Sequence, residues 1–286
     1  MRRYSMPYGG KVDCKWVYPA QSGGEYNLYS DPAAPAEKAQ GMESDFMSRL
    51  DSLAHDALTM LETGDPRIHR ESGPRSAWSR FLMSLMMRMP NDMATLKTGL
   101  VEEWARYLPE LEQAYQAKKQ TGWPATFAAY MDTLHPNELE SWAISVAPTL
   151  MDHSMIGELI NNMRWFIREI SGDAEFLTSD RPLISLYEFA ADDSYIMLPI
   201  GPKAVFVAVN NLATQRRIEA NDPAVWVESM NRMVVGAAKR FVFGTDDSRK
   251  DFVREHLGKR QRKTLFEMLV EYRKAQNSRP SSERQM

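Results

Sequence analysis

The stretch that decides the fold is 164–189, "RWFIREISGDAEFLTSDRPLISLYEF". Its first seven residues alternate and are rich in aromatic and β-branched side chains, so they read as a strand. Gly172-Asp173 is a turn signal. "EFLTSD" and "PLISLYEF" are short β-prone runs on either side of Arg181. "SYIMLPI" and "AVFVAVN" follow, making four or five short strands with brief turns, the pattern of a small antiparallel or mixed sheet.

Upstream, the pattern is helical. In 41–63 the residues Phe46, Leu50, Leu53, Ala54, Ala57, Leu58 and Leu61 make one apolar face, and Gly64-Asp65-Pro66 ends it. A second helix is predicted over 74–89, with Trp78, Phe81, Leu82, Leu85, Met86 and Met89 as its stripe. Further helices follow over 92–119, from near Pro124, from Pro136, and in "HSMIGELINNM". Residues 1–40 read as irregular, with "KVDCKWVYP" able to form a strand. Downstream, "DPAVWVESMNRMVVGAAKR" is a helix and "FVFG" a last strand. Residues 248–275 read as a charged helix or helix pair broken near Gly258, and 276–286 as a disordered tail. Helices segregated from strands argue α+β. The expectation is one domain over 1–275: a helical part (about 41–163) packed on a small antiparallel or mixed sheet (about 164–245), with C-terminal helices.

Composition narrows the function classes. The 286 residues are 43% hydrophobic and 26% charged, enough for a sizeable core. A net charge of −3 gives the whole molecule no strong pull toward nucleic acid or anionic membrane. One cysteine, Cys14, excludes an internal disulfide or a multi-cysteine zinc site and fits a reducing cytoplasm. No apolar run reaches the ~18 residues of a membrane span. The start "MRRYSMPYGG" lacks the apolar segment of a secretory signal. A soluble, cytoplasmic protein is expected. The phosphate-binding glycine fingerprints, the paired-histidine zinc motif and the G-x-S-x-G elbow are all missing, and His55, His69, His135, His153 and His256 are scattered. The sequence names no metal or cofactor.

Candidate chemistry sits at element ends. Asp180, before Arg181-Pro182, reads either as a turn-forming acceptor of backbone N–H groups or as a carboxylate presented to a cleft. With it stand Thr178, Ser179 and Arg181, the arginine suited to an anion. Glu43 falls on the apolar side of a helical wheel, either as a first-turn acid or as a carboxylate in a pocket. Arg88 lies in the last turn of the second helix. Asp180, Glu43 and Ser179 are the catalytic candidates; Arg88, Arg181 and Thr178 are the substrate-binding ones. Separately, 249–274 holds nine basic and four acidic residues, a charge able to meet nucleic-acid phosphates, though a solvated amphipathic helix explains it too.

These motifs, taken in order, resemble a bacterial domain-of-unknown-function family, number 4238. "FLTSDRP" is similar to the family's Phe-(Ile/Leu)-Thr-Ser-Asp-x-Pro turn, and Arg88-Met89-Pro90 stands where Arg-Thr-Pro is expected. "NLYSDP", the acid Glu43, "MLPIGP" and "NRMVVGAAKRFVFG" resemble further family positions. The resemblance covers roughly 2–245. Arg2-Arg3-Tyr4-Ser5 looks like the tail of the family's opening segment, whose His-Tyr-Val-Pro-Gln run is missing, so the chain is expected either to start late or to have lost that histidine. The resemblance implies no established activity. Two expectations result: a hydrolase-type enzyme at the Thr178–Pro182 turn, with Glu43 and Arg88 converging on it, or a non-catalytic binding protein using the basic C-terminal stretch, possibly on nucleic acid.

Overall fold

The computed structural model describes residues 1–8, 10–19, 29–87, 89–134, 137–185 and 189–260. The chain is α+β, and two four-stranded antiparallel sheets stand where the pattern announced one. The first runs β2-β1-β8-β4, from β1 (Arg2–Tyr8), β2 (Lys11–Trp16), β4 (Thr178–Ser179) and β8 (Val242–Gly244). The second runs β3-β7-β6-β5, from β3 (Arg164–Glu169), β5 (Ile184–Ser185), β6 (Tyr195–Gly201) and β7 (Ala204–Val209). Within the N-terminal stretch that read as irregular, Arg2–Trp16 forms a hairpin, Tyr4 facing Cys14 and Arg2 facing Trp16.

The chain divides into two compact units. The first comprises Met1–Tyr26, Asp51–Met89 and Asp152–Lys263. It contains both sheets and most of α1 (Ser48–Thr63), with α2 (Arg67–Arg70), α3 (Ser72–Met87) and α7 (Ser154–Asn162). Also within it are α8 (Leu212–Glu219), α9 (Pro223–Ala237) and α10 (Lys250–His256). The second comprises Asn27–Leu50 and Pro90–Met151. Its long α4 (Pro90–Lys118) packs with α5 (Phe127–Met131) and α6 (Glu138–Met151). Tyr115 is its aromatic hub, with Trp123, Phe127 and Tyr130 rings 5.6–5.7 Å away and its hydroxyl donating to Pro124 O at 2.9 Å.

In the first unit α9 organises the core. Asp222 caps it by accepting Val225 N–H, and Pro223 opens its first turn, where a missing N–H costs nothing. Trp226, Val227, Met230 and Val234 pack with Val205, Val207 and Val209 of β7. Val235 and Ala238 pack instead with Tyr4, Val242 and Val253, under the other sheet. Fully burying one such aliphatic side chain contributes about 1.5–3 kcal/mol. The remaining face, Ser229, Arg232, Met233 and Gly236, follows the i, i+3, i+4, i+7 spacing of one helical stripe and lines a recess.

Candidate functional site

The Thr178–Pro182 turn is fastened to the segment after α9. β4 pairs with β8, Thr178 opposite Phe243 and Ser179 opposite Val242. Asp180 N–H donates to Phe241 O at 3.0 Å. The Asp180 carboxylate then accepts three successive backbone N–H groups, from Lys239 (2.9 Å), Arg240 (2.6 Å) and Phe241 (3.1 Å). Bonds from N–H groups to an ionised acceptor are worth roughly twice neutral ones. Ser179 is buried; its hydroxyl accepts Arg181 N–H at 3.1 Å and donates to Val234 O at 3.3 Å. Three of the carboxylate's roughly four acceptor sites are taken in this way, and Ser179 would have to release Val234 O to act as a nucleophile. Thr178 and Arg181 are half-buried on the same turn.

Glu43 lies in the second unit and is exposed. The helical wheel put it on an apolar face, but Met42–Met47 is a π-helical turn with i→i+5 bonds, and Ser48 N–H donates to Glu43 O. One extra residue per turn rotates Glu43 off the stripe that Met42 and Met47 keep. Arg88 lies outside the described residues, as do Leu186–Glu188 and the part of the basic stretch beyond Arg260. Among the described residues no group of three His, Cys, Asp or Glu side chains is placed to hold a metal ion.

Among the described residues, two recesses open on the first unit. One, of about 350 Å³, is lined by Ser229, Arg232, Met233 and Gly236 of α9 and by His256, Lys259 and Arg260. Gly258, at φ +69°, turns the chain after α10 so that its N–H reaches Val235 O at 3.2 Å. Arg260 N–H then donates to Gly236 O at 2.9 Å. A Cβ on Gly236 would stand 2.9 Å from the Arg260 Cβ, so only glycine admits this approach. His256 Nδ1 sits 2.9 Å from Phe252 O, and its ring stacks on Phe252. Arg232 and Lys259 are exposed and, among the described residues, neither forms an ion pair. The lining is cationic, with no carboxylate among the described residues.

The other recess, of about 290 Å³, is lined by Tyr4, Asp173, Glu175, Leu177, Gly244, Thr245, Asp246, Ser248 and Arg249. Its polar groups are largely committed to one another. Glu175 accepts from the Thr245 hydroxyl, Asp246 from Ser248 N–H and Oγ, and Arg249 pairs with Glu228 at 3.2 Å. The buried Tyr4 hydroxyl donates to Asp246 O at 2.6 Å, and burial pushes its pKa up to about 12. This is a braced corner rather than an open site.

Sequence reasoning found Asp180 but not Arg232, the basic side chain α9 contributes to the recess. The signal was there: a small and polar stripe, Ser229–Gly236, opposite the apolar face of "DPAVWVESMNRMVVGAAKR". It points to a site only once Lys259 and Arg260 are seen beside it. A family model described as "Protein of unknown function (DUF4238)" matches residues 9–248. No curated protein and no solved structure matches the chain.

Proposed function

The chain belongs to the DUF4238 family of proteins of unknown function, and from that premise we propose that it is a non-catalytic binding protein for nucleic acid, held by phosphates at the Arg232–Lys259–Arg260 recess. The observation that carries this reading is the recess itself: a concave site whose charged lining is basic throughout. An extended partner fits better than a small anion. Exposed Lys239 and Arg240 follow α9 directly, and Arg262, Lys263, Arg273 and Lys274 continue the charge along the sequence. A local cationic surface suffices on a chain of net charge −3, because screening confines each charge's reach to about 10 Å.

The other reading, hydrolysis at the Thr178–Pro182 turn, has less support. Its acid and hydroxyl are engaged with backbone groups. The binding reading makes a quantitative demand. Three phosphate contacts imply that log K falls with log salt at a slope of about −2 to −3. Fluorescence anisotropy of a labelled mixed-sequence oligonucleotide at graded salt measures it. No binding at low salt, or binding indifferent to salt, sinks the proposal.

A further inference from the structure

We infer that Phe241, with Arg3 and Arg240 against its ring, is a base-stacking platform, so that the nucleic acid bound is single-stranded. This rests on the reading above and deepens it. Phe241 lies between α9 and β8. The Arg3 guanidinium carbon stands 4.7 Å from its ring centroid and that of Arg240 5.1 Å, both within cation–π range. The sheet explains how Arg3 gets there: it is directly opposite Phe243 in the β1–β8 pair, so Phe241, two residues earlier, is its diagonal neighbour. Phe243 is buried, whereas Phe241 and Arg3 are half-buried and Arg240 is exposed.

Neither arginine makes an ion pair among the described residues, so both stay available to phosphate. The backbone beneath is already ordered, because the Asp180 carboxylate takes the N–H groups of Lys239, Arg240 and Phe241. A ligand binding there meets a preorganised surface and loses less entropy on ordering it. The base takes the place of the more exposed Arg240 on the ring, and the released guanidinium meets the neighbouring phosphate. Only an unpaired base has a free face to stack, which excludes an intact duplex from the platform. Phe241 lies five positions beyond Gly236, in the wall of the cationic recess, a span of at most about 18 Å. One short oligonucleotide can therefore reach both.

The test compares a mixed-sequence single strand carrying 2-aminopurine with its duplex. The proteins are the parent, Phe241→Leu, Phe241→Tyr and the double variant Arg232→Glu/Lys259→Glu. Removing the ring should weaken single-strand binding about 5- to 150-fold and leave duplex binding unchanged. Phe241→Tyr should retain affinity, and the parent should quench 2-aminopurine. Equal affinity of Phe241→Leu and parent for the single strand overturns the platform. So does an absence of quenching by the parent, which decides the matter even where Phe241→Leu folds poorly. If the platform fails while the double charge variant still loses binding, the recess reading stands alone. If the parent binds neither strand form, both fall.

Discussion

The two sheets of the first unit have the same size and pairing sense but hold together by different means. In β3-β7-β6-β5 the middle strands supply the core: Val205 to Val209 are all fully buried, and Phe206 meets Trp78 and Trp165 edge-on at 5.4 Å. In β2-β1-β8-β4 the inner strand β8 has three residues and the edge strand β4 two. So little ladder cannot carry its own registration, and side chains replace it. Asn231, fully buried on α9, accepts Leu177 N–H at 2.7 Å and donates to Glu175 O at 2.8 Å. Asp180 clasps Lys239–Phe241, and Tyr4 fastens Asp246. The β3-β7-β6-β5 sheet is a core; the β2-β1-β8-β4 sheet is a frame that positions the segment joining the recess to Phe241.

That contrast can be broken at either sheet. Phe206→Ala should cost about 3–5 kcal/mol, from lost burial and the cavity left behind, read by chemical denaturation. Asn231→Ala should come next, at about 2–4 kcal/mol, because it leaves a buried N–H and a part-buried carbonyl without partners. A value near zero would show that strand pairing alone holds β4. Asp180→Asn should cost about 1–3 kcal/mol, since an amide cannot accept all three N–H groups on its two ends. Hydrogen exchange at Lys239, Arg240 and Phe241 should speed up with it, and unchanged protection there would contradict the clasp. Tyr4→Phe should be milder below pH 10 but should change the alkaline limb. The Tyr4 pKa is raised from 10.0 to about 12, so its contribution is present below pH 10 and lost as pH rises toward 12. The phenylalanine variant should lack that decline in a melting-temperature series. Glu43→Gln, at an exposed position, should stay within about 0.5 kcal/mol.

What could be read in advance divides along the same line. The long helices and the strands β3, β6 and β7 announce themselves, because an element with one buried face writes its period into the sequence. β1 does not: among the described side chains of "RRYSMPY" only Tyr4 is fully buried, and its partner β8 lies some 240 residues away. α8 escaped notice because "LATQRRIE" buries only Thr214 and Ile218. At the candidate site, Asp180 was legible as an acceptor of backbone N–H groups, but its donors lie 59 to 61 residues on, beyond any local turn rule. Glu43 was misplaced on its wheel because nothing in "MESDFM" declares a π turn. The recess was invisible for the same reason as the clasp: α9 supplies one wall and the chain after α10 the other, and Gly236 marks their contact without naming the partner.

The measurement that bears most directly on the account is the affinity of a labelled single strand for the parent and for Arg232→Glu/Lys259→Glu, at two salt concentrations. Both side chains are exposed, so the fold should be unaffected, as the melting temperature will report. The double variant should lose most of its affinity, and its remaining salt dependence should be shallower by about one to two units of slope. Parent-like affinity and slope in a folded double variant would contradict this.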